Sequence, residues 1–296
     1  MLLAGVFYFL ISFFLDNYNQ IKNVEITFDY LYLFVSISFF SVFLVNLALI
    51  WYLITKIFGC NLGIQRTIVY WFYSMLGKYI PGKLFLILGR VYLYDKNKID
   101  NKKIIFSIAL EIVCGLVAAL IVAQISIPFL INAGATVIDI KYFYILIILT
   151  LITAHPKIII FLVNIYNKIS KKPELSINIK YSNVLLIILL FSINYFVLGL
   201  AFYYLVTSIY FISIENYLFL TSAYVLAGTI GILALFAPSG IGVRESVLAV
   251  LLPIIMPVSY AAVIVIISRL WETLIEIALT ILLVLYAKTK NISFYL

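Results

Sequence analysis

Long uninterrupted apolar runs constrain this chain more than any other feature. Four of them cover residues 30–58, 104–131, 181–210 and 259–287. About 20 apolar residues in a helix cross the ~30 Å hydrocarbon core, whereas the alternating strands of a membrane barrel have about 9–11 residues. With 66% hydrophobic and 11% charged residues among 296, the chain has too little polar surface for a soluble protein. The predicted fold class is therefore all-α, a polytopic integral membrane protein with a single membrane domain, residues 1–296.

Two other apolar stretches carry charges and helix-breaking residues. The first motif runs from Gly77 to Arg90 and has Pro81-Gly82 in its middle. The second runs from Phe236 to Glu245 and contains one proline and two glycines. Charge is costly inside a bilayer and a Pro-Gly pair interrupts a helix. Both stretches are therefore predicted to be broken segments and not plain membrane anchors.

The distribution of basic residues predicts the orientation of the chain. Lysine and arginine gather at 56–66, 90–103 and 155–180 and at the C-terminus, which the positive-inside rule places in the cytoplasm. The loops 16–29, 132–141 and 211–216 are then external. The chain is expected to be a multi-pass protein of the cell membrane with a cytoplasmic C-terminus. Residues 1–15 predict a first span that is short or that begins upstream.

The same charge pattern predicts an inverted repeat. The first broken segment, residues 67–89, lies between two cytoplasmic loops, and its roughly 23 residues are too few for two crossings. It should be a re-entrant helix hairpin that turns at Pro81-Gly82. The second broken segment, residues 217–257, should enter from the external side.

Two inverted units follow from this topology. Unit one covers about 30–131, a linking span about 142–165, and unit two about 181–288. Paired broken segments in inverted halves point to a transporter binding site.

The broken segments also supply candidate ligands for a lipid phosphate. Each offers a helix N-terminus, which attracts anions, and the glycines allow a headgroup to approach the backbone. Lys78, Lys83, Arg90 and Arg244 could gather around such a phosphate, while the alternative is that the first three extend to the interface. The candidate substrate-binding residues are Lys78, Tyr79, Pro81, Gly82, Lys83, Arg90, Ser239, Gly240, Gly242, Arg244 and Glu245.

The last span carries three ionisable residues on one helical face. Arg269, Glu272 and Glu276 are spaced i, i+3 and i+7, so they should look into the protein, with Arg269–Glu272 as an internal ion pair. Glu111 is the matching acid of unit one and should pair with a basic residue of either hairpin. Two interpretations stay open for these acids: a structural charge network, or proton coupling.

Composition also narrows the other classes of site. Cys60 and Cys114 lack metal or redox spacing, and His155 is the one histidine, so no metal and no cofactor are predicted. The net charge of +8 fits cytoplasmic loops and anionic lipid headgroups, and no nucleic-acid partner is expected. Gly228 and Gly231 form a small-residue stripe suited to close helix contact.

The motifs together resemble a known family. Lys78-Tyr-Ile-Pro-Gly82 with Gly89-Arg90, His155-Pro156, the stretch from Pro238 to Glu245, and Arg269-Leu-Trp271 occur in the order and spacing of the lysylphosphatidylglycerol synthase transmembrane-region family. That family comprises flippase-like membrane proteins and includes the membrane half of the multiple peptide resistance factors. Ser239 stands where the family commonly has glycine.

The resemblance implies a polytopic helical fold with re-entrant hairpins that moves a modified phospholipid between leaflets. No soluble aminoacyl-transferase domain is visible, so it implies translocation and not synthesis of the lipid. The leading hypothesis is a flippase-like transporter for an anionic or modified phospholipid or a lipid-linked intermediate. The alternative is a membrane glycosyltransferase, or an accessory subunit, acting on polyprenyl-linked sugars. A lipid-modifying enzyme or glycosyltransferase as partner, and a homo-oligomer, also remain open.

Overall fold

The computed structural model of the protein describes residues 27–79, 84–126, 179–234 and 237–290, together with positions 15, 145 and 157. Apart from these single positions, the predicted first span and linking span lie outside the described residues. His155-Pro156 lies outside them as well.

The described residues form helices and no strands, as predicted. The helices are α1 (Tyr30–Ile57), α2 (Ile64–Met75), α3 (Leu84–Asp95), α4 (Asn101–Ala123), α5 (Tyr181–Ile209), α6 (Tyr217–Leu233), α7 (Val243–Leu251) and α8 (Val258–Thr289). Short 3-10 turns occupy Leu76–Tyr79, Gln124–Ser126, Ile214–Asn216, Pro238–Gly240 and Leu252–Ile254. Five helical stretches within the described ranges are long and apolar enough to cross a membrane: α1, α4, α5, Ile214–Leu233 and α8. The chain is therefore a multi-pass membrane protein.

Acidic side chains fix where two of the long helices begin. The Asp29 carboxylate accepts hydrogen bonds from the backbone N–H groups of Leu31 (2.9 Å) and Tyr32 (3.3 Å) at the start of α1. Asp100 accepts one from the N–H of Lys102 (2.9 Å) at the start of α4. Each carboxylate satisfies donors that have no partner within the helix.

The first broken segment contains two short helices, α2 and α3, that pack against each other. Each has 12 residues, or about 18 Å, and is too short to cross the ~30 Å core alone. The 3-10 turn ends at Tyr79 and α3 begins at Leu84, so the predicted turn at Pro81-Gly82 lies outside the described residues. The segment is longer than predicted, because α3 continues through Arg90 to Asp95. Counting Arg90 with the cytoplasmic loop is therefore wrong: it is 2% exposed within a helix, where Glu111 neutralises its charge.

The second broken segment joins a long helix to a short one. Ile214–Leu233 is long enough to cross, whereas α7 has 9 residues, or about 14 Å. Gly231 of α6 contacts the turn between them so closely that a Cβ at Gly240 would lie 2.8 Å from the Gly231 Cα. Of the predicted small-residue stripe, Gly231 makes this contact, while a Cβ at Gly228 would meet nothing within 4 Å.

Helices α1 and α5 pack side by side in opposite directions. Among the described residues, four hydrogen bonds join them: Asp29 with Ser208 (2.8 Å), Ser36 with Ala201 (2.7 Å), Phe43 with Asn194 (3.1 Å) and Asn46 with Asn194 (3.0 Å). Positions rise along α1 as they fall along α5, so the two helices are antiparallel. The first spans of two inverted units must have this relation, although the inversion itself stays a prediction.

Gly199 should be essential for the contact between α5 and α6. A Cβ at Gly199 would lie 2.0 Å from the Thr221 Oγ1, so Gly199→Ala must push α6 away. We expect it to lower the free energy of unfolding by about 1–3 kcal/mol, as overpacking does. Gly228→Ala is the matched control, because its Cβ meets open space. Thermal unfolding in detergent measures both; an equal effect of the two substitutions would contradict the close contact.

Candidate functional site

The two broken segments meet on the last helix. The turn Leu76–Tyr79 contacts the turn Pro238–Gly240, and both α2 and α7 pack against α8. The acids of α8 that face them begin at Glu272, about 21 Å along the helix from Val258 at about 1.5 Å per residue. Charged groups from both segments therefore converge near the middle of a membrane-spanning helix.

Lys78 ties the first broken segment to these acids. Its Nζ lies 2.5 Å from the Glu276 Oε1 and 3.4 Å from the Glu272 Oε1. Both carboxylates are buried. The lysine is thus directed to the centre of α8, where it bridges two like charges that are one helical turn apart.

Arg244 brings the second broken segment to the same acid. Helix α7 begins at Val243, and the Arg244 Nη1 forms an ion pair with the Glu272 Oε2. The guanidinium carbon lies 4.2 Å from the centroid of the Tyr224 ring, and the Tyr224 hydroxyl donates to the Glu272 Oε2 at 3.2 Å. The ring face and the carboxylate stabilise the cation together.

A left-handed turn precedes α7. Ser239, Gly240 and Gly242 have φ angles of 50°, 71° and 86°. Glycine adopts this conformation without steric cost, but serine does not. The Glu245 Oε2 accepts a hydrogen bond of 2.6 Å from the N–H of Gly242 and so holds the turn against the start of the helix.

Arg269 contacts this turn and does not form an ion pair with Glu272. Its Nε lies 3.6 Å from the Glu245 Oε1, and its Nη1 donates to the Ser239 carbonyl at 3.3 Å. The predicted Arg269–Glu272 ion pair is therefore wrong, because Arg244 and Lys78 occupy the Glu272 carboxylate. The Arg269 Nη2 is buried and has no acceptor within the described part of the chain.

Among the described residues, six ionisable side chains form two neighbouring sets of ion pairs that interact electrostatically, and we call them the α8 cluster. Its members are Lys78, Arg244, Glu245, Arg269, Glu272 and Glu276. Three are cations and three are carboxylates, so the formal charge of the cluster is zero.

A second buried ion pair lies within unit one. The Arg90 Nη1 contacts the Glu111 Oε2, as expected for a basic residue of the first hairpin, and its Nε donates to the Ser74 hydroxyl at 3.0 Å. The guanidinium carbon lies 4.4 Å from the Trp51 ring centroid and 5.6 Å from that of Trp71. The Trp71 Nε1 donates to the Glu111 Oε1 at 3.1 Å.

The same three-residue arrangement therefore occurs in both units. An aromatic residue on the first helix of the broken segment donates to a glutamate on the next long helix, and an arginine pairs with that glutamate over the ring. The members are Trp71, Arg90 and Glu111 in unit one, and Tyr224, Arg244 and Glu272 in unit two. We call these the Trp71 triad and the Tyr224 triad.

Sequence reasoning missed the two aromatic members. The signal was present, since Trp71 precedes Arg90 by 19 residues and Tyr224 precedes Arg244 by 20. Of the remaining predicted ligands in the first broken segment, Tyr79 lies in a 3-10 turn. Pro81, Gly82 and Lys83 lie outside the described residues.

Ser239→Gly should stabilise the protein. The backbone at Ser239 is left-handed, which costs a non-glycine residue about 1 kcal/mol or more, and glycine removes that cost. We expect a gain of about 1 kcal/mol in the free energy of unfolding. Ser246→Gly, the same change inside α7, should instead lose about 1 kcal/mol through reduced helix propensity. Chemical unfolding in detergent tests this; a loss at both positions would contradict it.

Removing one partner of the Arg90–Glu111 pair should be strongly destabilising. Glu111→Ala leaves a buried arginine without its carboxylate, and the expected loss is about 3–5 kcal/mol. The double variant Arg90→Met with Glu111→Leu should recover most of that loss, because no unpaired charge remains. Unfolding of the two single variants and the double variant gives the coupling energy; strictly additive effects would rule out the pair.

The sequence was compared with known families and with curated proteins. The curated proteins give no match. A family model described as "Lysylphosphatidylglycerol synthase TM region" matches residues 1–285, which is nearly the whole chain. This range includes α1 to α7 and both triads, so the resemblance carried by the sequence motifs is confirmed. The chain belongs to the lysylphosphatidylglycerol synthase transmembrane-region family.

Proposed function

We propose that this protein moves an anionic or modified phospholipid, or a lipid-linked intermediate, between the two leaflets of the membrane. The observation that carries the proposal is the α8 cluster. In it, a cation from each broken segment reaches acids near the middle of a membrane-spanning helix. The family itself supports a membrane role related to lipids.

The position of the charges favours transport over a purely structural role. Ionisable groups in a membrane domain are costly and usually mark a pathway for polar substrates. Non-helical backbone at membrane depth is tolerated where it lines a cavity or is buried in protein, and the turn before α7 is such a stretch. Two broken segments that meet at one charged cluster suit a site through which a lipid headgroup crosses the hydrocarbon core of the membrane.

Two features support the inverted arrangement of units one and two. Helices α1 and α5 are antiparallel, and both units contain the triad of aromatic, arginine and glutamate. In the proposed topology, α2 with α3 enters from the cytoplasm, and α6 with α7 enters from outside. The two triads then serve opposite faces of the membrane, as alternating access requires.

The ion pairs suggest how a headgroup phosphate is held. Arg244 lies at the start of α7, where unpaired N–H groups favour anions, and Arg269 has a buried N–H donor that lacks an acceptor among the described residues. A phosphate that enters there replaces Glu272 as the partner of Arg244. The carboxylates therefore pair with the cations when no lipid is bound. A phosphate can replace Glu111 as the partner of Arg90 in the same way.

Arg244→Ala and Arg90→Ala should each slow lipid exchange about tenfold or more, which corresponds to about 1.4 kcal/mol of lost interaction. The measurement is leaflet exchange of labelled phosphatidylglycerol and of a labelled polyprenyl phosphate in proteoliposomes. Arg66→Ala is the matched control, because Arg66 is exposed at the start of α2 and should leave the rate unchanged. Arg244→Lys keeps the charge and should lie between the wild type and the alanine variant.

Two outcomes would count against the proposal. If the purified protein exchanges no lipid faster than protein-free vesicles do, the transport function fails. If exchange is normal in both alanine variants that fold, these arginines take no part in it. Formation of product from a polyprenyl-linked sugar would instead favour the glycosyltransferase alternative.

A further inference from the structure

Trp271 on α8 has a buried N–H group without a hydrogen-bond partner. The residue is 5% exposed, and its indole Nε1 has no acceptor within the described part of the chain. Buried donors are almost always satisfied, and a buried tryptophan N–H usually finds an acceptor. Trp271 lies about 20 Å along α8 from Val258, at a depth where bulk water does not replace a missing partner. The unpaired donor therefore needs a physical explanation.

The other two tryptophans of the chain show the usual arrangement. The Trp51 Nε1 donates to the Tyr94 hydroxyl, and the Trp71 Nε1 donates to the Glu111 Oε1, each at 3.1 Å. Packing alone does not require a tryptophan at position 271, because a phenylalanine there would also make aromatic contacts and would leave no donor unsatisfied. The N–H group of Trp271 is thus the part of this side chain that packing does not explain.

The indole of Trp271 lies beside the Tyr224 triad. Its ring centroid is 4.3 Å from that of Phe40 on α1 and 6.3 Å from that of Tyr224. Phe202 stacks on Tyr224 at 4.1 Å, and the guanidinium carbon of Arg244 lies 4.2 Å from the same centroid. Two groups so close to one ring cannot share a face, so they occupy opposite faces and Trp271 lies at the ring edge. The indole and the guanidinium are therefore neighbours of a single ring.

We propose that the indole N–H of Trp271 donates a hydrogen bond to an oxygen of the lipid headgroup, beside the phosphate that Arg244 holds. The inference rests on the proposed function and deepens it by adding a residue that binds the headgroup. A headgroup carries acceptor oxygens on its phosphate and on the groups bonded to it, so one headgroup can meet both donors. Arg244 attracts any anion, whereas an uncharged donor in an aromatic wall requires an acceptor at one position. Trp271 therefore contributes specificity.

The Tyr224 ring controls access to this donor. The Trp271 Nε1 is buried in the structure, so a headgroup reaches it only after a neighbouring side chain moves. The Glu272 Oε2 accepts from the Tyr224 hydroxyl at 3.2 Å and also pairs with Arg244. A phosphate that displaces this oxygen from Arg244 therefore also takes the acceptor away from the tyrosine, whose ring can then turn. The exchange of partners that binds the phosphate thus uncovers the indole N–H.

The indole N–H groups can be observed one by one in the NMR spectrum of detergent-solubilised protein labelled with nitrogen-15 tryptophan. In the empty protein, the Trp271 signal should lie where an indole without an acceptor resonates. Titration with dioctanoyl phosphatidylglycerol should move it downfield, as a new hydrogen bond does, and should move the signal of Trp51, which keeps Tyr94 as its partner, much less. Inorganic phosphate at the same concentration should leave the Trp271 signal in place, because a free anion lacks the tails that hold a lipid in the membrane domain.

Substitution of the tryptophan separates lipid binding from packing. Trp271→Phe keeps an aromatic ring and removes the donor, and it should lower the affinity for dioctanoyl phosphatidylglycerol about tenfold, as the loss of one hydrogen bond to a charged acceptor does. Trp51→Phe is the same change at a donor that already has a partner. In the empty protein it should lower the unfolding temperature more than Trp271→Phe does, because it breaks the bond to Tyr94. Calorimetry and thermal unfolding measure the two effects.

The outcomes separate this inference from the transport function. A protein that binds and exchanges phosphatidylglycerol while the Trp271 signal stays in place would overturn the hydrogen bond and leave the transporter intact. Wild-type affinity in Trp271→Phe would do the same, as would a signal that already shows a hydrogen bond in the empty protein, since water is then the acceptor. An equal shift with inorganic phosphate would overturn the assignment to a lipid headgroup. If no anionic lipid is bound or exchanged, the proposed function fails and this inference fails with it.

Discussion

The Glu272 carboxylate joins the two broken segments to α8. It receives Lys78 from the first broken segment, Arg244 from the second, and the hydroxyl of Tyr224. The short helices α2, α3 and α7 are not anchored by length, since each is shorter than the membrane core. A buried acid with partners from separate elements keeps those elements together, because the loss of one partner would leave a buried charge uncompensated. These ion pairs therefore act together with apolar packing, for example of Met75 and Leu248 in the core that includes Trp271, to hold the broken segments on α8.

The Trp71 and Tyr224 triads extend this principle to each unit. In both, the arginine sits on the short helix after the break, and the glutamate on the long helix that follows. The aromatic ring comes from the helix before the break, so each triad joins the two arms of its segment to the adjacent span. A guanidinium needs a planar partner and an opposing charge when it is removed from water, and a tryptophan or tyrosine that also donates to the glutamate provides both. Different aromatic residues thus fill the same role in the two triads, tryptophan in one and tyrosine in the other.

Much of the fold could be predicted from the sequence, and the reasons are physical. Apolar runs locate the long helices, since crossing the membrane requires them, and the first charged stretch was predicted to be broken where the structure has two short helices, α2 and α3. The partners of the charges were harder to predict. Spacing put Arg269 and Glu272 on one face of α8. Spacing cannot show that Lys78 and Arg244, which are far away in sequence, form the ion pairs with Glu272 instead. The sequence left Arg90 either as a phosphate ligand or as an interfacial residue; its contact with Glu111 explains why it is buried.

The structure also connects stability with the proposed transport. If the ion pairs were broken to admit a headgroup, each would cost several kcal/mol, and the site would rarely open. In the proposed transport, a phosphate that replaces a carboxylate at the arginine lowers that cost, because the guanidinium is never left without an anion. The ion pairs that hold the short helices in place are then the same ones that an entering headgroup uses.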